Sequence, residues 1–207
     1  MVSLQEPAES LAQEKFVDSL STVPLLGSFG TKIDLITRHM LDILENDGSV
    51  KFLVFSQWEG VLDIIGNALS TNGIGFIKLE GGKVDGKRIF KGQAVISFQQ
   101  NPNIKCIMLN SKSQSSGLTL VEATHVFLVE PLLNLGLERQ AMTRVNRIGQ
   151  KSVTHVWRYI ISGTIEENIG MIYRPMTGMA VDEVKYQDYM RLFDIALQSE
   201  SSMVTSS

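Results

Sequence analysis

The chain has 207 residues, 43% of them hydrophobic, with 19 Lys+Arg against 22 Asp+Glu and a net charge of −3. This is the balance of a globular protein long enough to bury a core, and it excludes a globally basic nucleic-acid binder, so any such contact must rest on a local patch. The single cysteine, Cys106, excludes an internal disulfide and a cysteine-based zinc cluster and suits a reducing compartment.

In chain order, residues 1–30 form a mixed lead-in. Leu4 to Leu20 reads as a short helix, and Pro24, Gly27 and Gly30 then break the chain. Thr31 opens a better helix, with Asp34 three residues on as a capping partner, apolar Ile33, Ile36, Met40 and Ile43 on one face, and a stop at Asn46-Asp47-Gly48. Lys51 to Phe55 is a buried-type strand. Glu59 to Leu69 is a helix with Val61, Ile64, Ile65 and Ala68 on its apolar face. Gly75 to Leu79 is a second strand, and Lys87 to Gln99 a helix ended by Asn101-Pro102. Ile104 to Leu109 and His125 to Val129 are the third and fourth strands, Leu137 to Arg147 is helical, and Thr154 to Ile161 is the fifth strand. Ile165 to Ile172 continues as a helix. A break with Pro and Gly spans Arg174 to Met179, and Val184 to Gln198 is amphipathic, with Tyr186, Tyr189, Leu192, Phe193 and Ala196 on one side. The Ser-rich tail from Ser199 reads as disordered.

Near-continuous apolar strands separated by helices predict an α/β fold: a parallel sheet with helices on both faces, plus a C-terminal helical extension. The units are a lead-in at 1–30, the α/β lobe at 31–172, the extension at 173–198 and the tail at 199–207. Ligands of such sheets bind beyond the carboxyl ends of the strands, which singles out the loops at Ser56, Glu80, Asn110, Glu130 and Ser162. His39, His125 and His155 lack metal-ligand spacing, so no metal site is expected. No apolar run approaches the ~20 residues of a membrane span, and the N-terminus lacks a signal-peptide layout, so the expectation is a soluble intracellular protein without a membrane partner.

The stretch Gln140-Ala141-Met142-Thr143-Arg144-Val145-Asn146-Arg147-Ile148-Gly149-Gln150 resembles motif VI of the helicase-like Swi/Snf ATPases, with Thr143 for the usual Asp and Asn146 for the usual His. Lys51 to Trp58 looks like motif IV. Leu79-Glu80-Gly81 stands at the family's L-x-G turn, Leu109 to Leu120 aligns with motif V, and Val129-Glu130-Pro131 lies at its D-P turn. Gly163 to Glu167 matches the G-T-I-E-E segment that closes the lobe. The G-L-T form of motif V and the E-P-L-L-N run are similar to the SHPRH-like, RING-containing branch.

The resemblance implies the second, C-terminal RecA-like lobe of a double-stranded DNA translocase of chromatin remodelling or DNA repair, in the nucleus. Its partner is an N-terminal RecA-like lobe that carries the P-loop and holds most of ATP with Mg²⁺. Nucleosomes or ubiquitin-ligase components are further partners that the branch implies. Arg144 and Arg147, three apart on a predicted helix, share a face. The resemblance makes them the arginine fingers, because guanidinium offsets charge that builds on the γ-phosphate. It assigns Gly117, Thr119 and Gln140 to the nucleotide, and Ser56, Gln57, Gly81, Ser111, Lys112 and Ser113 to the DNA backbone. Motif V departs from the pattern: Gln114-Ser115 replaces a Gly-Gly pair and Thr119 an Asn. That departure supports an alternative, a non-catalytic DNA- or protein-docking module.

Three further features bear on function. Trp58 reads better as core packing than as a stacking surface. Lys78, Lys83, Lys87, Arg88 and Lys91 form a basic cluster, against Glu80 and Asp85, that suits either phosphate or plain solvent. Gly81 to Lys87 fits G-x-x-x-x-G-K, but Arg88 stands where a P-loop has Ser or Thr for Mg²⁺, and nothing resembles a Walker B strand end. A third reading is a small P-loop kinase using Gly81 to Lys87, which tight ATP binding by the chain alone would support.

Overall fold

The structure, a computed structural model, describes residues 7–79, 83–84, 87–88, 90–111, 119–132, 145, 150 and 152–173. The elements are α1 (Pro7–Ser21), α2 (Thr31–Asn46), β1 (Phe52–Ser56), α3 (Glu59–Thr71), β2 (Gly75–Lys78), β3 (Lys83–Val84), β4 (Lys87–Arg88), α4 (Lys91–Gln100), β5 (Ile104–Asn110), β6 (His125–Leu128), β7 (His155–Arg158) and α5 (Ile165–Tyr173). Five strands form one sheet in the order β2-β5-β1-β6-β7, and every pairing in it is parallel.

The apolar run of β1 explains the middle of the sheet. All five of its residues are buried, and alternate side chains feed opposite layers. Phe52 and Val54 join a cluster with Ile36 and Met40 of α2 and Leu62, Ile65 and Leu69 of α3. Leu53 and Phe55 join another with Ala94 and Phe98 of α4, Ile107 and Leu109 of β5, and Val145. The expected fold class, a parallel sheet with helices on both faces, is therefore the one observed. Lys51 ties the start of β1 to α4. Its ammonium lies 4.9 Å from the centroid of the Phe98 ring and donates to the carbonyls of Phe98 and Asn101 at the end of α4, where helical carbonyls lack internal partners.

Four local expectations are corrected. The helix expected from Lys87 begins at Lys91, because Lys87–Arg88 pairs antiparallel with Lys83–Val84. Thr31 does not pair with Asp34 as a capping box. Asp34 accepts the Phe29 N–H at 2.7 Å and the Ser28 hydroxyl at 3.1 Å, so it fixes the chain entering α2 instead. The buried face of α3 is Leu62, Ile65, Ala68 and Leu69, and Ile64 is exposed. The fifth strand is shorter than 154–161. The extension at 173–198 beyond Tyr173 and the tail lie outside the described residues.

α1 packs on α2, and Phe16 carries the contact into the core. Its ring lies 5.0 Å from His39 and 5.7 Å from Trp157. His39 is buried in the middle of α2, edge-on to Trp157 at 4.4 Å and stacked on Phe127 at 5.1 Å. Its Nδ1 lies 2.7 Å from the Tyr159 hydroxyl. Burial, helped by the charge of His125, holds the imidazole down at about 4. His125 is likewise held at about 4, by burial and then by His155, whose ring is stacked on it at 4.8 Å. No helix of the described residues is long and apolar enough to cross a membrane.

Candidate functional site

The parallel sheet ends its strands together, and the ends of β1, β5, β6 and β7 build the site. β1 ends at Ser56, in register with Asn110 of β5. The Ser111 N–H then donates to the Ser56 carbonyl at 2.9 Å, so Ser56, Gln57 and Ser111 meet at the centre of this edge. The hydroxyl of Ser111 is buried and has no hydrogen-bond partner among the described residues. A buried hydroxyl without a partner costs about 1–3 kcal/mol, which makes this an unused donor at the rim.

Glu130, from the end of β6, organises the neighbouring turn. One carboxylate oxygen accepts the Gln57 N–H at 2.6 Å and the Ser56 hydroxyl at 3.1 Å. The Ser56 oxygen in turn accepts the Trp58 N–H at 3.1 Å. Ser56 is thus fully buried with its hydroxyl committed inside the protein, and it is Gln57 that lies partly exposed at the rim. Trp58, read from the sequence as packing, has its side chain at the surface, 55% exposed. Burial raises the Glu130 carboxyl above the usual carboxylate range, against the opposing pull of the Gln57 N–H, the Ser56 hydroxyl and the Lys32 charge.

Lys32, two residues into α2, fastens the next two strands. Its ammonium donates to the carbonyls of Val129 at 2.9 Å and Tyr159 at 3.3 Å, and to the two Glu166 oxygens at 2.6 and 2.5 Å. Glu166 also accepts the Ile161 N–H at 3.0 Å. The rest of the G-T-I-E-E segment has equally local duties. Gly163 adopts φ +71°, which a side chain would resist. Thr164 donates its hydroxyl to the Ile161 carbonyl at 2.7 Å, and Glu167 accepts the Gly163 N–H at 2.8 Å. These groups hold the entry to α5; they are built for position.

Of motif VI, the structure describes Val145, buried in the α4-side core, and Gln150, whose amide donates to the carbonyls of Val121 at 2.8 Å and Ala123 at 3.2 Å. Arg144, Arg147, Gln140, Gly117, Gly81, Lys112 and Ser113 lie outside the described residues. Thr119 is described and is not brought to the edge with Ser56, Gln57 and Ser111. Its carbonyl lies 3.4 Å from the Gln99 amide, at the end of α4 that leads into the start of β5. Lys78 of the basic cluster is committed to Asp63 at 2.7 Å and Glu59 at 3.1 Å. Lys87 lies in a strand rather than at a helix N-terminus, so the kinase reading loses the geometry it required. Among the described residues no group of three or more His, Cys, Asp or Glu could hold a metal ion. Sequence reasoning singled out the loop at Glu130 without giving its carboxylate a role, and it passed over Lys32. For Glu130 the available signal was its place in the E-P turn; for Lys32 there was none, since its partners lie 97 to 134 residues away.

Residues 31–149 match the family described as helicase conserved C-terminal domain. The chain is 43% identical, over 148 residues, to the E3 ubiquitin-protein ligase SHPRH of Mus musculus, covering 71% of this chain and 8% of that protein. It is 31% identical, over 179 residues, to the uncharacterized ATP-dependent helicase IRC20 of Saccharomyces cerevisiae, covering 82% of this chain and 11% of the relative. The chain therefore spans a small part of the curated relatives it matches. The solved C-terminal part of the Fun30 ATPase domain has the same fold, with a TM-score of 0.67 at 23% identity, covering 94% of this chain and 63% of that one.

Proposed function

Because this chain belongs to the helicase conserved C-terminal domain family, as a RecA-like lobe of the Swi/Snf type near the SHPRH-like branch, we propose that it is the second ATPase lobe of a nuclear DNA translocase acting in repair or chromatin remodelling. A first RecA-like lobe would hold ATP with Mg²⁺ and supply the P-loop. This chain brings Arg144 and Arg147 to the phosphates, where a guanidinium is worth ~10³–10⁵ in rate. Gln140 links those arginines to the strand-binding side, and Gly117 completes the nucleotide contacts, while Thr119 lies by the end of α4, away from that edge. The DNA backbone meets Gln57, Gly81, Ser111, Lys112 and Ser113, while Ser56 acts from behind by holding the turn.

One observation carries the reading. Segments matching motif IV, the start of motif V, the E-P turn and the closing G-T-I-E-E run are distant in sequence, and they converge on one edge of a parallel sheet. Such an edge is where α/β sheets of this kind take ligands. The seating of Val145 in the core gives motif VI a fixed base.

The test is substitution in a mixture with a first lobe from an SHPRH-like relative and duplex DNA. Arg147→Ala is expected to reduce DNA-stimulated ATP hydrolysis by at least ~10³, and Arg144→Ala to reduce it strongly. Turnover that survives Arg147→Ala removes the finger assignment. The Gln114-Ser115 pair in motif V favours a second reading, a docking module for DNA, nucleosomes or ubiquitin-ligase components. That reading expects DNA binding with no ATPase in any mixture.

A further inference from the structure

We propose that Glu130 is a positioning residue for the nucleic-acid face: its buried carboxylate sets the Ser56–Gln57–Trp58 turn so that Gln57 and the exposed Trp58 ring meet the sugar–phosphate backbone of duplex DNA. The inference rests on the reading above and adds to it a residue that contacts no substrate.

Three hydrogen bonds carry it. The carboxylate takes the Gln57 N–H at 2.6 Å and the Ser56 hydroxyl at 3.1 Å, and the Ser56 oxygen takes the Trp58 N–H at 3.1 Å. Three consecutive residues are thereby fixed by one side chain from a neighbouring strand. The chain then turns directly into α3, where the Leu62 N–H donates to the Trp58 carbonyl at 3.2 Å. The Trp58 backbone is held on both sides while the residue stays 55% exposed. Restraint of this kind lowers the ordering cost of binding, because the turn is set before the ligand arrives.

Stability alone does not call for this carboxylate. Glu130 is 8% exposed, and burying an acid is costly unless its charge is matched. Lys32, the cation whose charge acts on it, already gives its donors to Val129, Tyr159 and Glu166. The donors that Glu130 receives come from the turn, and the order that it imposes falls on the turn.

The experiment uses the full 207-residue chain carrying Trp157→Phe, which leaves Trp58 as the reporter, since the chain has two tryptophans. Trp58 fluorescence anisotropy is read without DNA and then during titration with a blunt DNA duplex. Glu130→Ala is expected to lower the DNA-free anisotropy and to weaken half-saturation by about tenfold. Glu130→Gln keeps an acceptor oxygen and is expected to restore both readings to within about twofold, which a loss of bulk or stability would not produce. If Glu130→Ala fails to fold, Ser56→Ala removes the middle of the same chain of bonds and is expected to shift both readings in the same direction. Unchanged anisotropy and affinity in the folded variant overturn the proposal. Wild-type affinity that ignores Trp58→Ala and Gln57→Ala, read from the anisotropy of a fluorescein-labelled duplex, overturns the nucleic-acid reading instead, and the DNA-free Trp58 anisotropy of the Glu130 variants keeps the two failures apart.

Discussion

Mild acid should destabilise this protein through His39. The imidazole is buried among Phe16, Phe127, Trp157 and Tyr159 and is held at about 4, against an ordinary value of 6.5. Below 6.5 the unfolded chain binds a proton that the folded chain refuses until about 4. The contribution of this group to stability is therefore complete above 6.5 and is lost as the pH falls toward 4. Each pH unit inside that window costs ~1.4 kcal/mol, so going from pH 7 to pH 5 removes about 2 kcal/mol. Against a total of about 5–15 kcal/mol for a domain, that is measurable. Urea unfolding at pH 7, 6 and 5 is the assay, comparing the wild type with His39→Gln, whose amide can still meet the Tyr159 hydroxyl. The wild-type free energy should fall about 2 kcal/mol further than that of the variant across the range. His125 shifts in the same direction and contributes to both proteins alike. Parallel pH profiles for the two proteins would refute the reasoning.

Lys32→Met should lower the urea-unfolding free energy by about 3 kcal/mol, because it strands Glu166 and two strand-end carbonyls around a mostly buried site; a loss below about 1 kcal/mol would place the pair among ordinary surface bridges. Gly75→Ala should cost roughly 2–3 kcal/mol in thermal or urea melts, since a Cβ there would sit 2.1 Å from the Asn103 carbonyl oxygen, and backbone must move to admit it. Cys106 is fully buried, and burial pushes its thiol well above the usual range. A thiol reagent should therefore leave the folded chain unmodified and label it once denaturant is added; rapid native labelling would contradict that burial.

The sheet was legible because burial on both faces leaves strong local traces. Phe52 to Phe55 is an apolar run whatever its neighbours are, and Ile104 to Leu109 is one broken only by Lys105. The strands' partners were not legible, and the site depends on them. Glu130 reaches Gln57 only because β6 lies beside β1, 73 residues away in sequence. The error at Lys87 has a local cause. The sequence reads as a helix from Lys87 to Gln99, but Asp85-Gly86, which separates the paired Val84 and Lys87, is a hairpin signal, and the pairing keeps Lys87 and Arg88 extended. Asp34 was misassigned because a short carboxylate serves the chain before a helix as readily as its first turn. Trp58 follows a buried strand, and no sequence pattern says that the residue after the strand's end swings outward. Motif resemblance, by contrast, depends on ordered identity along the chain, and so it carried the family correctly through segments whose geometry it did not specify.

The measurement that bears most directly on the account is the rate of ATP hydrolysis on mixing this chain with a first lobe from an SHPRH-like relative, with and without duplex DNA. The account predicts background rates for either piece alone and DNA-dependent turnover when the two are combined. Hydrolysis by this chain alone, or a mixture no faster than the sum of its parts while both are folded and bound to DNA, would contradict it.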